Sequence, residues 1–312
     1  MACDGYKLNS QKGIRWMRVC HGVTSSFDDP NLVSCAGLAP VLELAQRAGL
    51  HELVAEHVRI DKRGGGNAVL KVVALAAGMI AGADSIDDMG LLRHGAMRRL
   101  FAGVRAPSTL GTFLRTFTFG HVRQLDAVAS RILINLCRCA PLLPGADTLA
   151  DVNVEDTVKP TFGYAKQGAG GGYTGVKGLN VLLALVSTPT SRPVIAAARL
   201  RKGSTNSAKG AHRFVADPVI TAKKAGATGS LVLRRLAGLR REGLQPDPHR
   251  RCARVVFHAK ATTGAIRAQL IHVPGRLARS ARHLALHLPV DWPWRRPGRR
   301  WPRPSEKDHP RA

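Results

Sequence analysis

The sequence predicts a mixed α/β protein, in which a helical N-terminal region precedes a four-stranded sheet and a basic tail. Apolar residues recur at helical spacing through residues 31–141, whereas from residue 149 they alternate with polar residues, as they do in strands. Near residue 234 the composition changes sharply to an Arg- and Pro-rich end. The chain has 312 residues, 45% of them hydrophobic, so it is long enough for two domains with buried cores.

The charge of the chain is extreme and unevenly distributed. Lys and Arg number 47 against 21 Asp and Glu, a net charge of +26. Residues 235–312 hold 18 basic and 5 acidic residues, so half of the net charge lies in the last quarter of the chain. A chain of this kind attracts polyanions, nucleic acid above all. The tail stretch DWPWRRPGRRWPRP at 291–304 is expected to bind polyanions nonspecifically and with strong salt dependence.

Three other classes of protein are not indicated. The six cysteines show no CxxC spacing, which disfavours a zinc site and favours a reduced, cytoplasmic chain. The apolar run AVLKVVALAAGMIAGA at 68–83 is short and contains Lys71, so we expect a buried helix and no membrane association. The glycine run GAGGG at 168–172 lacks the GKS or GKT ending of a P-loop and is interpreted as a hairpin tip.

The N-terminal region is predicted to consist of short helices. Residues 1–30 show no period and are interpreted as a leader. Within 31–141, Gly49 is expected to divide the first apolar stretch into two helices. The apolar segment 66–83 and the amphipathic segment from about 120 to 139 are predicted as longer helices.

After residue 148 the elements follow the order β-β-β-α-β. The first three strands are predicted to form an antiparallel meander, and the fourth to return parallel after a helix. This order opens a ribonuclease-H-like fold, and the predicted domain, residues 149–234, is incomplete. The predicted strands are 149–157, 179–189, 192–200 and 229–234, with a Gly-rich loop at 163–178 and a helix at 202–227.

Acidic residues cluster where the first strand ends. The stretch DVNVEDT at 151–157 alternates valines with polar residues, as expected of a strand with one buried face. Glu155 and Asp156 are the candidate catalytic carboxylates. Strand alternation turns Asp156 to the face opposite Glu155. The alternative is that this stretch is only a solvated strand end.

Several long blocks of the sequence carry a resemblance to a known family. These blocks are FDDPNLVSCAGLAPVLELAQRAGL, AGADSIDDMGLLRHG, RAPSTLGTFLRTFTFGHVRQLDAVASR, GYAKQGAGGGYTGVKGLN and ARLRKGSTNSAKGA. Together they closely resemble bacterial insertion-sequence transposases of the DDE domain group 1 type, typified by insertion sequence thirteen-eighty. The resemblance covers roughly residues 26–234. It implies a helical region that binds the ends of the element, a ribonuclease-H-like sheet that cuts DNA, and a location at the bacterial nucleoid in the cytoplasm.

The resemblance also implies a cofactor and partners. In the family, three carboxylates hold two Mg²⁺ ions, which activate water and then a DNA 3′-hydroxyl for in-line attack on phosphodiesters. The implied partner is double-stranded DNA carrying the terminal repeats, and the resemblance allows a homodimer. Hard cations such as Mg²⁺ require oxygen ligands in near-ideal geometry.

This chain departs from the family at the first carboxylate. The family strand reads Asp-hydrophobic-Asp-x-Thr, which aligns with residues 153–157. Glu155 stands at the expected metal-ligand position. Asn153, which is uncharged, stands where the family has its first Asp. Glu is longer than Asp by one methylene, about 1.5 Å. A displacement of about 1 Å at a reacting group can cost about a hundredfold in rate.

The second carboxylate is missing where the family has it. The family reads Leu-Arg-Ala-Asp-Ser after the fourth strand, whereas this chain reads LVLRRLAGLRREG with no acid before Glu242. If Arg234, Arg235 and Leu236 are encoded CGC CGA CTC, one restored G gives Arg-Ala-Asp-Ser. We therefore hypothesise a one-base deletion, with residues 235–312 out of frame and disordered and the third carboxylate absent.

Three functional interpretations remain open at this point. The first is a DDE transposase by descent that is a degenerate, catalytically inactive copy. The second is a non-catalytic basic DNA-binding protein that competes for element ends. The third is a product that never folds, because unpaired strands aggregate.

Six basic residues around the Gly-rich loop and the third strand are candidate DNA contacts. Such residues would hold phosphates and position the duplex without reading its sequence. The alternative for each of them is ordinary surface charge. Three isolated histidines, His94, His121 and His212, lack ligand spacing and are expected to be structural or exposed. The candidate DNA contacts are Lys166, Lys177, Arg199, Arg201, Lys202 and Lys209.

Overall fold

A computed structural model describes most of the chain between residues 27 and 290. The described residues from position 31 onward belong to one compact unit, of which residues 27–30 are not a part. The architecture is mixed α/β with two sheets, as the sequence predicts. Most of the predicted leader, tail residues 236–262 and the basic stretch from 291 lie outside the described residues. The described ranges are 27–60, 65–162, 166–172, 175–206, 209–235, 263–280 and 283–290.

The N-terminal part is helical, as the sequence predicts. Helices α1 (Leu38–Arg47) and α2 (Leu50–His57) are separated at Gly49, whose φ of 79° lies in the left-handed region that only glycine adopts easily. The predicted break at Gly49 is therefore confirmed. The other helices are α3 (Ala68–Ala81), a 3₁₀ helix (Asp87–Arg93), α4 (Met97–Leu100), α5 (Pro107–Arg115) and α6 (Phe119–Cys139).

Helix α6 joins the helical part to the sheet. Its Val128 packs with Val54 and Val58 of the α2 segment in one buried cluster. One turn further on, Leu133 belongs to a second cluster with sheet residues that include Val152. A single amphipathic helix thus supplies apolar side chains to two cores.

The larger sheet has the strand order that the sequence predicts. Strand β2 (Leu149–Pro160) pairs antiparallel with β4 (Lys177–Ser187), and β4 pairs antiparallel with β5 (Val194–Arg201). Strand β6 (Ser230–Arg235) returns parallel to β2 on its other side. The short strand β3 (Gly170–Gly171) pairs with the start of β4. The predicted antiparallel meander and the parallel return of the fourth strand are confirmed.

The two faces of this sheet differ in how far β2 residues are buried by packed helices. Ala150, Val152 and Val154 of β2 are buried on the face that packs against helices. On the opposite face, which we call the open face, Asn153 and Glu155 of β2 and Leu183 and Leu185 of β4 are only half-buried. In the register of β2 and β4, Asn153 lies opposite Leu185 and Glu155 opposite Leu183.

The helix predicted at 202–227 is shorter and divided. Helix α7 (Ala211–Phe214) begins after Gly210, whose φ is 74°, and α8 (Ala216–Lys224) follows. Pro218 is tolerated because it lies in the first turn of α8, where its missing N–H is not needed. Residues 202–206 form a loop and not the start of a helix. Gly203 in this loop is packed tightly against β3 and β4, because a Cβ there would lie 2.0 Å from the Gly178 carbonyl oxygen.

The structure differs from the expected disordered tail over 263–280 and 283–290. Helix α9 (Thr263–Ile266) continues as a π-helix (Arg267–Ile271), and strands β7 (Gly275–Ser280) and β8 (His283–His287) form a second sheet with β1 (Leu32–Val33). Ile271, Val273 and Leu277 are 5%, 6% and 2% exposed, in one core with residues of α1 and α3.

Specific polar contacts hold this tail segment to the N-terminal part. The backbone N–H of Gly37 donates to the Ile271 carbonyl at 3.2 Å. Arg267 Nη2 donates to the Met79 carbonyl at 2.9 Å, and His272 Nε2 lies 2.7 Å from the Ala81 carbonyl oxygen. The last carbonyls of a helix lack the usual donor one turn further on, and these two side chains supply partners at the end of α3, where the Met79 carbonyl also accepts the Gly82 N–H at 3.2 Å. The physical reason for the difference is that apolar residues of the tail fill a core made by the N-terminal helices.

Candidate functional site

Glu155 lies on the open face of β2, where the sequence places it. Its side chain is half-buried between Asn153 and the exposed Thr157. On the β6 side, Asn153 pairs with Arg234 and Val154 with Arg235.

Asp156 does not share a site with Glu155. It is turned to the helix-covered face, as strand alternation predicts, and its Oδ1 accepts a hydrogen bond from Asn180 Nδ2 at 2.5 Å. Arg201 Nη2 lies 3.4 Å from the same oxygen, and Arg201 Nε donates to Asn180 Oδ1 at 2.7 Å. Burial lowers the pKa of the Arg201 guanidinium, and the charge of Asp156 opposes this. The carboxylate is therefore occupied by an internal network.

The carboxylates of β2 do not fit a two-metal centre. Asp151 is on the face of Glu155, but four residues along a strand separate them by about 13 Å. Asp156 is on the opposite face and hydrogen-bonded there. Across the described ranges, no group of three His, Cys, Asp or Glu side chains could hold a metal ion. Since Mg²⁺ requires several oxygen ligands around one point, the donor set does not match the cofactor that the resemblance implies.

The two candidate arginines point inward. Arg199 forms an ion pair with Asp217 of α8, and its guanidinium lies 5.4 Å from the centre of the Phe214 ring. Arg201 pairs with Asp156 and also donates from Nη1 to the Lys209 carbonyl at 2.7 Å. Both side chains hold the sheet to its loop and helix.

The four candidate lysines lie at one end of the sheet and are exposed. Gly203, next to Lys202, donates its N–H to the Gly168 carbonyl at 2.9 Å, which joins the loop after β5 to the Gly-rich hairpin. Thr161 donates to the Lys177 carbonyl at 3.2 Å. The structure thus brings together segments that carry Lys166, Lys177, Lys202 and Lys209.

Two further exposed residues at this end were missed by sequence reasoning. Lys159 lies on β2 opposite Leu179, and Phe162, two residues after the paired Pro160, is 86% exposed. A sequence signal was present: residues 157–216 contain nine Lys and Arg but no Asp or Glu. We call Lys159, Lys166, Lys177, Lys202 and Lys209 the lysine surface.

The isolated histidines are structural or exposed, as predicted. His121 Nδ1 accepts a hydrogen bond from the Thr118 backbone N–H at 3.0 Å and closes a capping box at the start of α6. His94 and His212 are exposed.

The chain was compared with known protein families, curated proteins and solved structures. No match to this chain was found among models of protein families, curated proteins or solved structures. Of the described helices, none is long and apolar enough to cross a membrane.

Proposed function

We propose that this chain is a catalytically inactive relative of DDE transposases that binds double-stranded DNA. The sequence blocks described above and the strand order β-β-β-α-β both support a ribonuclease-H-like origin of the sheet. By descent, the DNA would carry the terminal repeats of an insertion sequence. The corresponding location is the bacterial nucleoid in the cytoplasm, and the chain could act as a homodimer.

One observation carries the loss of catalysis. On the open face, β2 offers Glu155 flanked by Asn153, and the β6 residue paired with Asn153 is Arg234. Two-metal cleavage needs several carboxylates converging on the attacking and leaving oxygens. On this face of β2, the described residues offer one carboxylate at this point, that of Glu155. The carboxylate of Asp151 is about 13 Å away along the strand.

DNA binding is supported by the lysine surface. Its five ammonium groups stand at one end of the sheet, within a stretch of sequence that has no acidic residue. Lysines in such an arrangement hold phosphates and fix the position of the duplex. Binding of this kind weakens steeply with salt because counterions are released.

Two assays on one preparation test the proposal. The first measures binding of a labelled end-containing duplex over a salt series, and the second measures nicking of that duplex with Mg²⁺ or with chelator. We expect salt-dependent binding and equal, background nicking in both conditions. Cleavage above the chelated control that is lost in Glu155→Gln would instead make the chain an active enzyme. A chain that binds no duplex at low salt would contradict the proposed function itself.

A further inference from the structure

We propose that the lysine surface holds single-stranded DNA, with an unpaired base stacked on the ring of Phe162. The inference rests on the proposed DNA binding and specifies the form of DNA that this end of the sheet takes.

The charge around this surface is one-sided because the nearest acids in the sequence are already paired. Residues 157–216 are bounded by Asp156 and Asp217 and contain no acid between them. Asp156 pairs with Arg201, and Asp217 pairs with Arg199. The two internal arginines therefore offset the two bounding carboxylates, and the stretch between them contributes positive charge alone.

The lysines are carried by neighbouring segments. Lys159 is on β2, Lys177 begins β4, and Lys202 follows the end of β5. Adjacent strands lie about 4.8 Å apart, so the segments that carry Lys159 and Lys202 are about 10 Å apart. Gly203 allows the loop after Lys202 to lie against the Gly-rich hairpin, since a Cβ there would lie 2.4 Å from the Gly170 carbonyl oxygen. A backbone that tracks across the sheet end would pass several ammonium groups in succession.

Phe162 adds a feature that phosphate binding alone does not need. The preceding residue, Thr161, is hydrogen-bonded to the Lys177 backbone, so the exposed ring stands at the edge of the lysine surface. Every base has a π-face that can stack on such a ring, whatever the sequence. Within a duplex those faces are already stacked on each other. The ring therefore favours unpaired bases, whereas the lysines attract either form of DNA.

The test measures binding of the full chain to two labelled DNAs by fluorescence anisotropy. One is a thymidine oligonucleotide of about 16 nucleotides, and the other is a blunt duplex. Phe162→Ala is expected to weaken binding of the oligonucleotide about fivefold or more and to leave duplex binding unchanged. Phe162→Trp, which keeps a ring, is expected to retain oligonucleotide binding. Phe119→Ala, which removes another exposed ring, on α6, is the matched control and is expected to bind both DNAs normally.

A lysine pair completes the design. Lys202→Ala is expected to weaken the binding of both DNAs. Lys223→Ala, at an exposed lysine of α8, is expected to weaken the binding of neither. Unchanged oligonucleotide binding in Phe162→Ala, or an equal loss on both DNAs, would overturn the stacking inference while duplex binding by the unaltered chain still supported the proposed function. Failure of the unaltered chain to bind either DNA would remove the proposed function as well.

Discussion

At the scale of single residues, the acidic and basic groups that look functional are divided between two tasks. Asp156 and Arg201 are joined through Asn180 on the covered face of the sheet. Arg201 also holds the loop that carries Lys209. Glu155 stands on the open face without a second carboxylate near it among the residues described. The charges of Asp156 and Arg201 face inward and hold the sheet to its loop, whereas the lysines of the lysine surface are exposed.

The inward-facing pair of Asp156 and Arg201 is expected to contribute to the free energy of unfolding. Arg201→Ala would leave Asp156 partly buried without its cation, and breaking such a pair destabilises a protein by about 3 kcal/mol. Urea denaturation of the variant should show this loss in the free energy of unfolding. Arg192→Ala, at an exposed arginine, should change it by less than about 0.5 kcal/mol. Equal effects of the two substitutions would mean that the network contributes nothing to stability.

Asp126 on α6 predicts a dependence of stability on pH. Burial raises the pKa of its carboxyl above 3.8, and nearby Asp217 adds to this, whereas Arg123 and Arg199 act in the opposite direction. As pH rises above 3.8, the unfolded chain loses this proton first, so stability falls until the folded carboxyl also ionises. Asp126→Asn should remove that loss.

The measurement is the free energy of unfolding of both proteins between pH 3.5 and 7, by urea titration at closely spaced pH values. The advantage of Asp126→Asn should be smallest at the acidic end, grow as pH rises above 3.8 and then level off. An advantage that stays constant over this range would show that the pKa of Asp126 is the same in the folded and unfolded chain.

At the scale of elements, the described tail segment behaves as part of the N-terminal core. Strand β7 pairs with β1, and the side chains of Arg267 and His272 satisfy the last carbonyls of α3. Gly37 is required where the two segments meet, because a Cβ there would lie 1.6 Å from the Leu270 carbonyl oxygen. A one-base deletion that left all of 235–312 without a fold does not account for these contacts.

Leu277 tests whether this segment contributes to stability. It is 2% exposed on β7, and Leu277→Ala should cost about 2–5 kcal/mol through lost burial and the cavity left behind. Leu284 on the neighbouring β8 is 52% exposed, so Leu284→Ala is the matched control and should cost far less. Chemical denaturation of both variants measures the difference. Small and equal losses would restore the interpretation of a tail without a fold.

At the scale of the whole molecule, the net positive charge governs the long-range attraction of a polyanionic partner. Part of it lies in the tail, and part lies on the lysine surface at the end of the sheet. Because long-range attraction depends on summed charge, both regions would contribute to nonspecific binding of nucleic acid. The lysine surface combines exposed charge on described, packed segments with the exposed ring of Phe162.

Salt dependence separates these two contributions. If Lys202 contacts a phosphate, Lys202→Ala should reduce the slope of log K against log salt for duplex binding by about 1. Lys223→Ala removes the same charge from the exposed surface of α8 and should leave the slope unchanged. Identical slopes for the two variants would place the DNA elsewhere on the molecule.

The sequence by itself determined the local elements and the faces of β2. The break at Gly49, the helix α6, the order β-β-β-α-β and the opposite orientations of Glu155 and Asp156 follow from periodicity and from the conformational range of glycine. These properties depend on residues close in sequence, so a single chain is enough to predict them.

Only the tertiary structure decided which charges are internal and where the tail belongs. Asp156 meets Arg201, and Leu32 of β1 pairs with Arg276 of β7, across separations that no local period encodes. The Arg- and Pro-rich composition of the tail predicted no folded segment there, although a few of its apolar residues fill the core. Composition describes what a segment exposes on average, whereas burial depends on which distant surface lacks an apolar partner.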